Sequence, residues 1–187
     1  MQADTPEDVG QKGSAERRLT VRYDAAEDRL VVLLTRTDAG QRVGTALGLT
    51  RRLWLGLRRN LQAMLDQSAA LPTSMDPAVR QVVSTAHHRS LAATVPVRSE
   101  RASPSPDDPP VDLVIGVRCG RRRTDRRWVL TFKFKTKPDF PLAVNDLGLH
   151  ALASTLFRRE GVAGWNLPPL PASTAGGDQT ESSHALH

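Results

Sequence analysis

Cysteine is nearly absent from this chain: Cys119 is the only one in 187 residues. A lone thiol cannot close an internal disulfide, so a packed core must hold the fold, and the usage agrees with a reducing compartment. Long apolar runs are also missing. None approaches the roughly 18–20 residues that a spanning helix needs, so no membrane partner is expected. The opening segment Met1-Gln-Ala-Asp-Thr-Pro-Glu-Asp8 lacks the basic and apolar regions of a secretory signal, which points to the cytoplasm. Aromatic residues make up only 4% of the chain, and lysine is confined to Lys12, Lys133, Lys135 and Lys137.

Catalytic signatures are equally scarce. There is no G-x-x-x-x-G-K-[ST] or G-x-G-x-x-G phosphate loop and no G-x-S-x-G nucleophile elbow. Gly161-Val-Ala-Gly164 follows a helical pattern instead of opening one, the wrong end for holding an anion. His87 and His88 are neighbours on a helical stretch, so their side chains diverge by about 100° and do not readily share an ion. His184 and His187 lie in a polar tail, and His150 has no partner legible in the sequence. Asp112 and Asp146 adjoin apolar segments without a paired-carboxylate spacing. The expectation is a protein that is not an enzyme, with no cofactor and no metal site.

What the chain does carry is a pattern stated twice. Arg18 to Tyr23 alternates, with Leu19, Val21 and Tyr23 on one face. Leu30 to Leu34 is apolar on both faces, as a strand covered on both sides would be. Asp38-Ala-Gly40 supplies a turn, and Arg42 to Leu47 returns as a third strand, weakened by Gly44. Thr50 then caps a helix carrying Leu53, Trp54, Leu57, Leu61, Met64 and Leu65 on one side, with Arg51, Arg52, Arg58 and Arg59 on others. Further on, Val111, Leu113, Ile115, Val117 and Cys119 alternate, and Trp128, Leu130, Phe132 and Phe134 do the same. Phe140 to Val144 reads as a short edge strand. Asn145 caps a last helix with Leu149, Leu152, Ala153, Leu156 and Phe157 inward, stopped by Gly161. Between the two halves, Asp76-Pro77 opens another helix whose apolar face is Val79, Val82, Val83, Ala86 and Leu91.

These elements define an α+β fold: an antiparallel sheet, or two small sheets, from two pseudo-repeated ββ(β)α halves with helices packed against it. The domain runs over 17–170. Its halves, 17–96 and 111–170, are joined by a flexible linker at 97–110, and tails at 1–16 and 171–187 are too polar to order.

Charge supplies the candidate site. The net charge is +6, and arginine carries most of the positive side. One stretch stands apart from that general bias: Arg121, Arg122, Arg123, Arg126 and Arg127 crowd a hairpin tip, with Arg118 beside it, and Lys133, Lys135 and Lys137 alternate along the returning segment. Three ammonium groups spaced about 7 Å apart on one strand face repel one another unless solvated or matched by anions. Either an acidic protein surface or a phosphate backbone would match them; a plainly solvated face that deters edge-to-edge pairing is the third reading. The aromatic residues fall on the opposite face, so single-strand nucleic acid has no stacking platform. The reading adopted is a non-catalytic cytoplasmic binding or assembly protein that holds an acidic protein partner through this hairpin; the alternative is a nucleic-acid-binding accessory protein using the same residues. Monomer and homodimer both remain compatible with the sequence.

Overall fold

The computed structural model describes residues 17–38, 41–72, 74–94 and 105–168. The tails expected at 1–16 and 171–187, the Gly40 turn and the first part of the linker lie outside these residues. The order of elements is β1 (Arg17–Asp24), β2 (Arg29–Asp38), β3 (Gln41–Thr50), α1 (Arg51–Ser68), α2 (Pro77–Thr94), β4 (Val111–Leu113), β5 (Gly116–Arg121), β6 (Trp128–Lys133), β7 (Phe140–Val144) and α3 (Asp146–Ala163). They form an α+β structure with two sheets, β1-β2-β3-β4 and β5-β6-β7, and three helices among the described residues.

Alternation fixes the register of the first sheet. Leu19 lies opposite Leu34, Val21 opposite Val32 and Tyr23 opposite Leu30, while Leu30 and Val32 face Leu49 and Leu47 across the next pair. A one-residue slip would turn this whole set away from the helices, so burial specifies the pairing. The second apolar face of β2 is covered as well: Val31, Leu33 and Ala46 form a smaller buried cluster with Val111 against it. Gly44 is a requirement of this sheet. A Cβ there would come within 2.9 Å of Thr35 Cγ2 and 3.2 Å of the Leu34 carbonyl, and Pro109 lies over the same spot. Of the linker, residues 105–110 are described: Ser105 and Asp108 close a turn that leads directly into β4.

The two sheets meet at a strand that changes partners. β4 runs parallel to β3, with Ala46 opposite Val111 and Gly48 opposite Leu113. Val114 N still donates to Gly48 O (3.0 Å), but Ile115 N already donates to Lys133 O (2.9 Å), and β5 continues antiparallel to β6. The continuous alternation from Val111 to Cys119 is thereby broken. Val114 is buried, whereas Leu113 and Ile115 are exposed. Passing from one ladder to another shifts the phase, which local pattern cannot register.

The helices cross between halves. α1 packs against β3 and β5, and α3 packs against β1, β2 and β7, so one hydrophobic cluster draws on both stretches of chain. Trp54, Leu57, Phe132 and Leu152 are all buried in it. Each such side chain contributes roughly 1.5–3 kcal/mol by leaving water. The cap expectations hold: Thr50 Oγ1 accepts from Leu53 N (3.3 Å) and Asn145 Oδ1 from Gly148 N (2.9 Å). α3 runs past Gly161 to Ala163, and Gly164, at φ 63°, is the left-handed residue that turns the chain back. That turn returns Trp165 to the core, where its indole N–H donates to Asp28 Oδ1 (2.6 Å) beside the Tyr23 ring.

Candidate binding surface

The β5–β6 hairpin is closed by Arg122 N donating to Arg127 O (2.8 Å), and Arg126 at φ 56° makes the turn. All five predicted tip arginines, Arg121, Arg122, Arg123, Arg126 and Arg127, are exposed, against the single carboxylate of Asp125. Asp125 organises the tip from inside. It takes Arg122 through both carboxylate oxygens, lies 3.6 Å from Arg127 Nε, and accepts from Arg127 N (3.2 Å). The Arg122 bond leads in holding its carboxyl down at about 2, so Asp125 stays charged through the physiological range. Arg121 stacks its guanidinium 4.7 Å over the buried Trp128 ring and donates to Arg126 O (3.0 Å). Arg123 and Arg126 have no anionic partner among the described residues. The tip is thus a pre-formed loop in which three arginines brace the structure and two are free to meet something else.

The lysines do not continue this patch. β6 ends at Lys133, so Lys135 and Lys137 occupy the loop before β7 and the expected row of three on one strand face is not formed. Lys133 is half-buried, and Lys137 Nζ pairs with Asp112 Oδ1 at 2.5 Å. From Trp128 to Lys133 the strand advances about 17 Å, well beyond the screening length of about 8–10 Å at ordinary salt. Tip and lysine loop are therefore set apart along the hairpin, with the exposed Arg118, opposite Thr131, between them.

The arginines of α1 behave differently again. Arg58, placed by its spacing among the solvated residues, is buried: it contacts Glu160 at 3.4 Å and donates to Pro168 O at 2.9 Å. Arg51 donates to Trp165 O (2.7 Å), and the Trp54 indole donates to Glu160 Oε2 (2.7 Å). These side chains hold the last turns of α3 at Glu160 and the segment after it at Trp165 and Pro168, and are already engaged.

One cluster of chemically capable groups was invisible in the sequence. His150 is fully buried at the start of α3, with its Nε2 2.8 Å from Ser68 Oγ and its Nδ1 2.9 Å from His88 Nδ1; the His87 ring stands edge-on 5.2 Å away. This resembles a serine activated by a histidine, but the hydrogen directions oppose it. Ser68 Oγ donates to Leu65 O (2.7 Å), so its proton is spent there and Nε2–H of His150 must be the donor. Nδ1 of His150 then accepts from His88. Such a serine is not activated as a nucleophile; the chain of bonds ties α1, α3 and α2 together. Burial, helped by His88 and His87 and opposed by Asp146, holds His150 down at about 4, and burial with His87 also lowers His88. No group of three metal-binding side chains has suitable geometry among the described residues. Burial pushes the Cys119 thiol up to about 12, leaving it unreactive at neutral pH. No helix among the described residues is long and apolar enough to cross a membrane.

Comparison with protein-family models, curated proteins and solved structures found no match to this chain.

Proposed function

We propose that the protein is a non-catalytic binding or assembly protein that holds an acidic protein partner on the tip of the β5–β6 hairpin. The observation that carries this reading is the braced tip itself, with Arg123 and Arg126 exposed and unmatched beside three arginines fixed by Asp125 and Trp128. A pre-organised loop loses less conformational freedom on binding than a floppy one. Its small footprint suits a local acidic patch. A nucleic-acid backbone offers phosphates along a track, whereas here the lysine loop stands apart from the tip and Arg118 is the basic residue between them. In this reading, residues 17–170 act as one domain whose two stretches of three strands and a helix are variations on one unit, and the protein works in the cytoplasm. The shared core and the single cysteine, which closes no internal disulfide, support it.

The test replaces Arg123 and Arg126 with glutamine and follows fluorescence anisotropy with a labelled Glu-rich peptide and a labelled DNA duplex in parallel. Peptide binding with a shallow salt dependence, weakened roughly tenfold or more by the double substitution, is the expected result. Tight duplex binding whose logarithmic salt slope flattens by nearly one unit per lost arginine would replace this reading with nucleic-acid binding. Retention of the peptide by the variant would remove the tip from the function.

A further inference from the structure

α2 is built inside out. Its inner face carries Arg80, Ser84, His87 and His88, while Val79, Val82 and Val83 are 51%, 68% and 37% exposed and Ala86 is exposed beside them. The spacing i, i+3, i+4, i+7 makes those four residues one continuous seam, the kind a second helix covers. Nothing among the described residues covers it.

We propose that this seam docks onto the same seam of a second copy of the chain, as an antiparallel helix pair with the two-fold axis passing between Val82 and Val83. The seam is self-complementary in that arrangement and in no parallel one. With the axis there, Val82 meets Val83 of the partner subunit, Val79 meets Ala86 of the partner subunit, and Asp76 meets Arg89 of the partner subunit. Each contact occurs twice, as an isologous interface demands. Asp76 gives one oxygen to the N-cap bonds from Ala78 N (2.8 Å) and Val79 N (3.2 Å), and neither its other oxygen nor Arg89 has an ion-pair partner among the described residues. A parallel pair would set Asp76 against Asp76 and Arg89 against Arg89. The flanking residues Ser90 and Ala93 are small and exposed, so the axes can approach to about 8–9 Å. An acidic partner finds no match here, since the seam itself is uncharged. One helix pair buries less than the roughly 800 Å² per partner of a standard stable complex, so the dimer is one that exchanges with monomer as concentration changes.

Sedimentation equilibrium over a range of concentrations tests this. The mass is expected to rise from 20.4 kDa toward twice that value. Val82→Glu should shift the midpoint by roughly tenfold or more in concentration with an unchanged circular dichroism spectrum, because the residue is exposed in the free chain. Orientation is read by crosslinking in a Cys119→Ser background: a Val79→Cys chain should join an Ala86→Cys chain in preference to another Val79→Cys chain. Arg89→Glu should also weaken the dimer, by putting like charge beside Asp76 of the partner subunit. A native chain that stays at 20.4 kDa at millimolar concentration overturns the proposal. So does a dimer indifferent to Val82→Glu, or one in which Val79→Cys joins itself.

Discussion

α1 and α2 are the same length, 18 residues each, and they attach to the molecule by opposite means. α1 presses Leu53, Trp54, Leu57, Leu61, Met64 and Leu65 onto the sheets. α2 buries only Arg80 and Ser84 and is tied to its neighbours by hydrogen bonds from Ser84 Oγ to Asp66 Oδ1 (2.7 Å) and between His88 and His150, while Arg80 bonds back to Pro72 O (2.8 Å) and Met75 O (3.2 Å) of the preceding loop. Apolar burial scales with area and needs no particular partner, whereas each net hydrogen bond contributes only about 0.5–1.5 kcal/mol and depends on one. α1 is consequently an integral part of the core, and α2 is a helix laid on it with its apolar side outward. α2 should open first, and its backbone amides should exchange with solvent faster than those of α1.

The contrast can be broken most forcefully at Trp54. Trp54→Ala removes a fully buried ring packed against Phe157 and a hydrogen bond to Glu160, and should cost about 3–5 kcal/mol in chemical denaturation. A loss no greater than that of an α2 surface variant would mean α1 is not the anchor. Next comes Ser84→Ala, which leaves the Asp66 carboxylate with Gln62 as its hydrogen-bond donor and should cost about 1–3 kcal/mol. Hydrogen exchange of that variant should quicken in α2 while α1 is unaffected; equal quickening in both would merge the two helices into one unit.

Acid sharpens the same comparison. Because His150 is held at about 4 in the fold against an ordinary 6.5, the unfolded chain takes up its proton first. Stability from this group is fully present above pH 6.5 and is lost as pH falls toward 4. Protonation of both rings also sets N–H against N–H between His150 and His88, breaking the tie to α2. Melting temperature should therefore drop over that window more steeply in the native chain than in His150→Gln, and parallel curves would remove the histidine tie from the account. The smallest effect belongs to Val79→Ser, which should alter the stability of the monomer by no more than about 0.5 kcal/mol. A loss of several kcal/mol would mean that the valine face is buried within the monomer.

Much of the fold was legible. The period-2 runs of β1 and β6, the two-sided apolar run of β2, the helical stripes of α1 and α3, and the caps at Thr50, Asn145 and Asp76 all sit where the pattern places them. The tip arginines are exposed as expected. The lysine row failed because alternation continued on paper past Lys133, where the strand ends and the loop to β7 begins. Arg58 was misplaced for a different reason: its burial depends on Glu160 and Pro168, more than a hundred positions away.

The sequence alone determined which segments are strands and which are helices, and for α1 and α3 which face goes inward, because periodicity records where apolar atoms collect and burial follows them. Tertiary structure alone decided that α2 turns its valines to solvent, that β4 and β5 are one stretch shared by two sheets, and that His88, His150 and Ser68 form a chain. In each case a buried polar group had to find a partner to offset its desolvation. The partners of Ser84 and His88 on α2 (Asp66 and His150) lie on other helices, and no local pattern of apolar residues encodes where they come to rest.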